Sequence, residues 1–288
     1  MAYQSRAGRL DVRKTYKLYI NGEFPRSESG RSYAARDSEG EVLARVARAS
    51  RKDLREAVRA ARTAGEKWAA KSGYNRGQIL YRIAEMMEDR GAVFAEQLGD
   101  GGLTPARARA EVAAAVDRMV WYAGWADKFA QIYGNLNPVA GPFFNISAPE
   151  PTGVVGVIAP ESPALLGLVS RLAPVMVAGN TAVVISSETQ PLPAITFSEV
   201  LESSDVPAGV INILTGFPSE LAPWLADHMD VNAVDMAGAA PEVGLRVRQG
   251  AVHNVKRLVG TDGYTDLQSP YLIAAFTETK TVWHPKGL

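Results

Sequence analysis

From Gly153 to Val259 the chain alternates short apolar runs with helix-length segments, and this alternation restricts the fold more than any other feature. Val154–Ile158, Ala182–Ile185, Val210–Leu214 and Ala233–Met236 are rich in β-branched residues and apolar except for Asn212 and Asp235, the texture of strands buried on both faces. Between them lie Leu165–Ala178, an apolar helix ending at Gly179-Asn180, then Pro193–Glu202, and a helix opened by Ser219-Glu220 and running to His228. Strands separated by helices pair in parallel, because a crossover returns the chain to the same end of the sheet. The fold class is therefore α/β, a Rossmann-like parallel sheet with flanking helices.

The first half of the chain reads differently. Lys17–Phe24 predicts a hairpin around Asn21-Gly22, the strongest two-residue turn signal, and Glu41–Ala47 a further strand. Ser50 and Asp53 form a capping box with Asp in place of Glu, and Leu54, Ala57, Val58, Ala61 and Trp68 then recur on one helical face. Gln78–Leu98 repeats the pattern through Ile79, Leu80, Ile83, Met86, Met87 and Phe94, which predicts one helix, and Gly99–Gly102 a loop. Pro105 opens a third helix carrying Val112, Val116, Met119 and Val120, with Trp121, Tyr122 and Trp125 as packing residues and Arg107, Arg109 and Arg118 on a solvated face. After Tyr133 the glycines and prolines that punctuate Phe143, Phe144 and Ile146 describe an extended arm. Two strand-like stretches, Tyr271–Phe276 and Thr279–Trp283, follow the parallel segment. Four segments are expected: 1–132, hairpin and helices; 133–150, an oligomerisation hairpin; 151–262, the Rossmann-like core; and 263–288, an oligomerisation strand.

Composition excludes several classes of function. Lys plus Arg and Asp plus Glu both number 31, so no net charge draws the chain to nucleic acid or an anionic membrane. The sequence contains no cysteine, which removes disulfides, thiolate metal sites and thiol nucleophiles. His228, His253 and His284 lack metal-ligand spacing, and no metal is expected. No apolar run approaches the roughly 18 residues that span a bilayer, and Met1–Lys14 has no apolar core of a secretory leader, so a cytoplasmic location is expected.

Several stretches, in order, resemble the aldehyde dehydrogenase family. Tyr19-Ile-Asn-Gly-Glu-Phe24 resembles its opening hairpin, and Pro151-Thr-Gly-Val-Val-Gly-Val-Ile-Ala-Pro160 its entry into the first strand of the cofactor domain. Leu172–Asn180, Glu188-Thr-Gln-Pro191, Val206–Gly216 and Asp230–Gly244 resemble the family's PALAAGN, SEQTP, PPGVVNVVPG and glycine-turn segments. Asn254-Val-Lys-Arg-Leu258 resembles the strand that leads into the catalytic domain. The chain then passes almost directly to Ala275–Trp283, which resembles the family's C-terminal oligomerisation strand. The resemblance thus implies a cofactor domain and assembly arm without the catalytic domain between them.

The same resemblance places three degenerate positions. The family's nucleophilic thiolate has no counterpart, its general-base Glu falls at Thr261, and its oxyanion-hole Asn falls at Ser162. Thr261 offers no carboxylate base, and Glu161 would set negative charge beside a developing oxyanion. For the cofactor, Glu188 matches the ribose-binding Glu, but Ile185 stands where a Lys is expected. Gly216, Gly238 and Gly244 mark the glycine turns, the last pair spaced one residue wider than usual and interrupted by Pro241. NAD binding and a degenerate, cofactor-free site both remain open at this point. The implied function is a non-catalytic subunit that assembles with a full-length aldehyde dehydrogenase, or with itself. The alternative is an NAD(P)-binding member contributing to the oxidoreductase activity of a complex.

Overall fold

In a computed structural model, residues 14–260 and 268–287 are described. Strands β1 (Ser32–Arg36) and β2 (Val42–Ala47) pair antiparallel. Before them, Asn21 and Gly22 take φ of 55° and 77°, and Ile20 and Glu23 exchange backbone hydrogen bonds of 3.0 Å. The expected hairpin at Lys17–Phe24 is thus a tight turn with one isolated bridge, and Tyr19 instead exchanges two backbone bonds with Ile213.

Helix α1 (Arg51–Ala69) starts at the expected capping box, with the Ser50 side chain accepting from Lys52 and Asp53 and the Asp53 carboxylate accepting from the Ser50 N–H. The structure splits the helix expected over Gln78–Leu98 into α2 (Gly73–Asp89) and α3 (Gly91–Asp100), the latter absorbing part of the expected 99–102 loop. At the break Arg90 leaves helical geometry (φ −95°, ψ 11°), its guanidinium reaches Glu199 at 3.2 Å, and Gly91 follows, a residue that costs a helix interior about 1 kcal/mol. Helix α4 (Pro105–Ala123) begins at the Thr104 cap, and α5 (Phe129–Tyr133) leads into β3 (Asn135–Asn137) and β4 (Phe143–Pro151), which pair antiparallel. Arg118 is not on a solvated face: it donates to the Ser170 hydroxyl at 2.8 Å.

The alternating half gives β5 (Val154–Ile158), α6 (Ala164–Val177), β6 (Thr181–Ile185), α7 (Leu192–Glu202), β7 (Ile211–Leu214), α8 (Pro218–Asp227), β8 (Ala233–Asp235), α9 (Pro241–Ala251) and β9 (Arg257–Val259). These strands form one parallel sheet, as the apolar alternation predicts, and their order is β7-β6-β5-β8-β9. Every residue of β5 and β6 is buried. One face carries Met87, Tyr122, Leu168 and Leu172 from α2, α4 and α6, and the other carries Leu54, Leu221, Leu225 and Val247 from α1, α8 and α9. Strand order reverses between β5 and β8, which places the crevice of such a sheet at their carboxyl ends.

The amino ends carry the arm. Tyr271–Phe276 is not a strand: Pro270 at the first helical position and the Ser269 cap make it α10 (Pro270–Ala274). Then β10 (Thr277–Pro285) runs antiparallel to β4 over nine pairs, from Thr277↔Pro151 to Pro285↔Phe143, giving a sheet ordered β10-β4-β3. Asn180 ties this arm to the core. Its fully buried side chain accepts from the Gly153 N–H at 2.7 Å and donates to the Phe276 carbonyl at 2.9 Å. Among the described residues no helix is long and apolar enough to cross a membrane.

Asn180→Ala orphans the Gly153 N–H, at about 1–3 kcal/mol, and removes one of the two donors to the Phe276 carbonyl, at about 1 kcal/mol. Urea unfolding should show a loss of about 2–4 kcal/mol, whereas a change under about 0.5 kcal/mol would show that the tie carries no stability.

Candidate functional site

Three loops meet at the carboxyl ends of the strands: Ala159–Pro163 after β5, Ser186–Pro191 after β6 and Met236–Ala240 after β8. The first two are joined by one side chain. The Glu161 carboxylate accepts from the Ser187 and Thr189 hydroxyls, both at 2.6 Å, and from the Glu188 and Thr189 N–H groups at 2.9 and 3.1 Å. Half-burial raises the cost of its charge, but four donors outweigh that cost and hold the carboxyl below the usual Glu range. The sequence places Glu161 beside a developing oxyanion. The structure instead turns it onto the loop after β6, because that loop offers convergent donors, and leaves Ser162 exposed at the head of α6.

Glu188 feels the opposite effect: burial, and then repulsion from Glu161 and Glu220, push its carboxyl up. Burial, and then Glu188 and Glu161, likewise raise Tyr33. Tyr33 packs on Phe217 with ring centres 5.3 Å apart, and Arg48 lies over the other ring 4.5 Å from its centre while pairing with Glu220. Three carboxylates therefore surround this end, with Arg48 paired to one of them.

The other expected residues are not all brought together. Ile185 is buried at the end of β6, next to Glu188's loop, and offers no donor. Gly216 sits in the turn after β7 against Leu221. Gly238 lies across the end of β5: its N–H donates to the Ile158 carbonyl at 2.9 Å, and a Cβ there would collide with the Ala159 carbonyl. Gly244 is an interior residue of α9, bonded to Ala240. Helix α9 has no side-chain cap, and Pro241 removes one N–H at its start. Thr261 lies outside the described residues. Among the described residues no cluster of His, Cys, Asp or Glu could hold a metal ion.

One pair was missed by the sequence reading. Arg171 in α6 and Asp235 at the end of β8 are both buried and form a bidentate pair at 2.7 and 2.9 Å beneath the crevice. Complete burial pushes Asp235 up, while Arg171 and the Ala237 N–H oppose it. The available signal was an arginine in the middle of an otherwise apolar helix, since a charge there needs a partner.

These features meet a clear set of relatives. The sequence profile of the aldehyde dehydrogenase family matches residues 25–263. The chain belongs to the aldehyde dehydrogenase family. It is 34% identical over 256 residues to retinal dehydrogenase 2 of Gallus gallus, covering 86% of this chain and 48% of that protein. Its fold is similar to PnpE from Pseudomonas sp. WBC-3, with a TM-score of 0.82, 28% identity and coverage of 86% of this chain and 50% of that one. An NAD+ complex of aldehyde dehydrogenase from Bacillus cereus gives a TM-score of 0.80 at 26% identity, again covering 86% and 50%. The chain thus spans about half the length of these relatives.

Members of this family bind NAD, and at the strand ends where the resemblance places it the chain's own side chains take several polar groups. The N–H groups of Glu188 and Thr189 are committed to Glu161, Ile185 supplies no cation for a ribose, and the surrounding carboxylates repel a pyrophosphate.

Asp235→Ala leaves a buried guanidinium unpaired and should cost about 3–5 kcal/mol in urea unfolding, most of it recovered when Arg171→Met is added. Equal losses in the single and double variants would contradict this account of the pair. The depressed Glu161 pKa gives a contribution that is complete above the unfolded Glu value of about 4.3 and disappears as pH falls through the folded value. Glu188 works in the opposite sense, gaining as it protonates. Glu161→Gln should therefore flatten the acid-side fall of stability seen in urea melts between about pH 7 and pH 3; an unchanged slope would contradict the assignment.

Proposed function

We propose that this chain is a non-catalytic aldehyde dehydrogenase-like subunit that assembles with a full-length member of the family and supports or regulates it. One observation carries this reading. Among the described residues the last strand of the parallel sheet, β9, ends at Val259, and only residues 260–276 separate it from β10, which pairs with β4 over nine residues. The resemblance to the family places a whole catalytic domain in that interval. The sequence has no cysteine to form a thiohemiacetal with an aldehyde, and Ser162 replaces the oxyanion-hole amide.

The arm supports assembly. Among the described residues, β10 is an edge strand whose outer side is unpaired. Leu136, Phe143, Phe144, Ile146, Val282 and Trp283 are exposed on this three-stranded sheet, and Phe143 packs edge-on against Trp283 at 5.8 Å. An unpaired edge strand beside an exposed apolar patch is a site for pairing with another strand. The sheet that the family's arm joins belongs to the catalytic domain, so a full-length subunit supplies the acceptor.

Co-expression with a full-length aldehyde dehydrogenase of the same organism, followed by size-exclusion chromatography, should yield a stable mixed complex. Val282→Lys combined with Trp283→Lys should weaken it at least tenfold, about 1.4 kcal/mol, with little change in melting temperature because both positions are exposed. A well-folded chain that elutes alone in the presence of its relative would contradict the proposal.

A further inference from the structure

The loop after β6 presents two hydroxyls, of Ser187 and Thr189, and two successive backbone N–H groups, of Glu188 and Thr189, to a single point. Convergent donors of this kind hold anions, phosphate above all, because each donor is fixed by the backbone and needs no reorganisation. The point lies outside the carboxyl end of a parallel strand, beside the reversal of strand order, where ligands of such sheets bind. In this chain the anion at that point is the protein's own Glu161.

We propose that Glu161 is a built-in occupant of this anion cradle and excludes pyrophosphate-bearing ligands from it. The exclusion has three physical components. All four donors are committed to the carboxylate. Glu161 and Glu188 together oppose a further negative charge, and the nearby cation Arg48 is already paired with Glu220. The plug is also tethered, so it competes at the high effective concentration of an intramolecular group. Its tether is short and anchored: Glu161 lies three residues before α6, whose first N–H groups at Leu165 and Leu166 are held by Glu111 of α4 at 2.9 and 3.2 Å. That anchor keeps the Glu161 backbone close to the cradle. The bonds of Glu161 therefore tie the loops after β5 and β6 to each other. This inference is independent of the assembly reading, which concerns the arm at the opposite ends of the same strands.

The test is calorimetric titration of inorganic pyrophosphate into the full chain and into Glu161→Ala and Glu161→Gln, each first confirmed to melt cooperatively. The wild-type chain should give no saturable heat up to about 10 mM, and Glu161→Ala should bind at least tenfold more tightly than wild type. Glu161→Gln keeps the side-chain volume and loses the charge, and serves as the readout if the alanine variant does not fold; it too should gain affinity. Saturable binding by wild type equal to that of a folded variant, or no gain in either folded variant, overturns the proposal. A measurement on the wild-type chain alone gives an independent check. A carbon-13 titration of the Glu161 carboxyl should find it below the ordinary Glu range, and a value at or above that range would show that the four donors do not hold the anion.

Discussion

The Asn180 side chain ties the arm to the parallel sheet. It meets the backbone at Gly153, where β5 begins, and at Phe276, where the chain turns into β10. Thr152 adds a second bond to the Phe276 carbonyl at 3.2 Å, and Arg257 at the start of β9 reaches the Ala275 carbonyl at 3.1 Å and pairs with Glu278 at 2.8 Å. The arm needs these anchors because it buries little of itself. Nearly every β10 side chain is exposed, so the ladder with β4 provides hydrogen bonds but little apolar burial. A strand held this way remains available to a second sheet, and the assembly reading rests on that availability.

The opposite ends of the strands are organised by charge. Arg171 and Asp235 neutralise each other beneath the crevice, an arrangement whose desolvation cost roughly cancels its attraction and which is therefore retained for position more than for stability. Glu161 is held by uncharged donors, and Glu188 beside it bears the repulsion that results. In both cases a charged side chain is held by partners from another segment of the chain.

The parallel half of the fold was legible because burial on both faces leaves uninterrupted apolar strands and because Pro and Gly mark the helix ends. The capping box at Ser50 and Asp53 was legible for the same reason: its geometry is local. What escaped was set by contacts between distant segments. The break at Arg90 lies inside a continuous apolar period, and its guanidinium reaches Glu199, more than a hundred positions away. Tyr271–Phe276 has strand-like composition, yet Ser269 and Pro270 start a helix. The expected site residues were sorted unevenly: Ile185 and Glu188 do share one strand end, whereas Gly244 is simply part of a helix. Glu161 was noticed, but its direction depends on donors from the next loop, which no spacing in the sequence reveals. Arg171 and Asp235 are sixty-four positions apart, and only the fold makes them a pair.

Hydrogen–deuterium exchange on the chain alone, with millimolar NAD, and with a full-length aldehyde dehydrogenase, tests the central claim most directly, because it reads both ends of the strands at once. The account predicts new protection along β10 and β4 on adding the full-length protein, and no change at Ser187–Thr189 on adding NAD. Protection of Ser187–Thr189 by NAD, with β10 exchanging as freely in the mixture as alone, would contradict it.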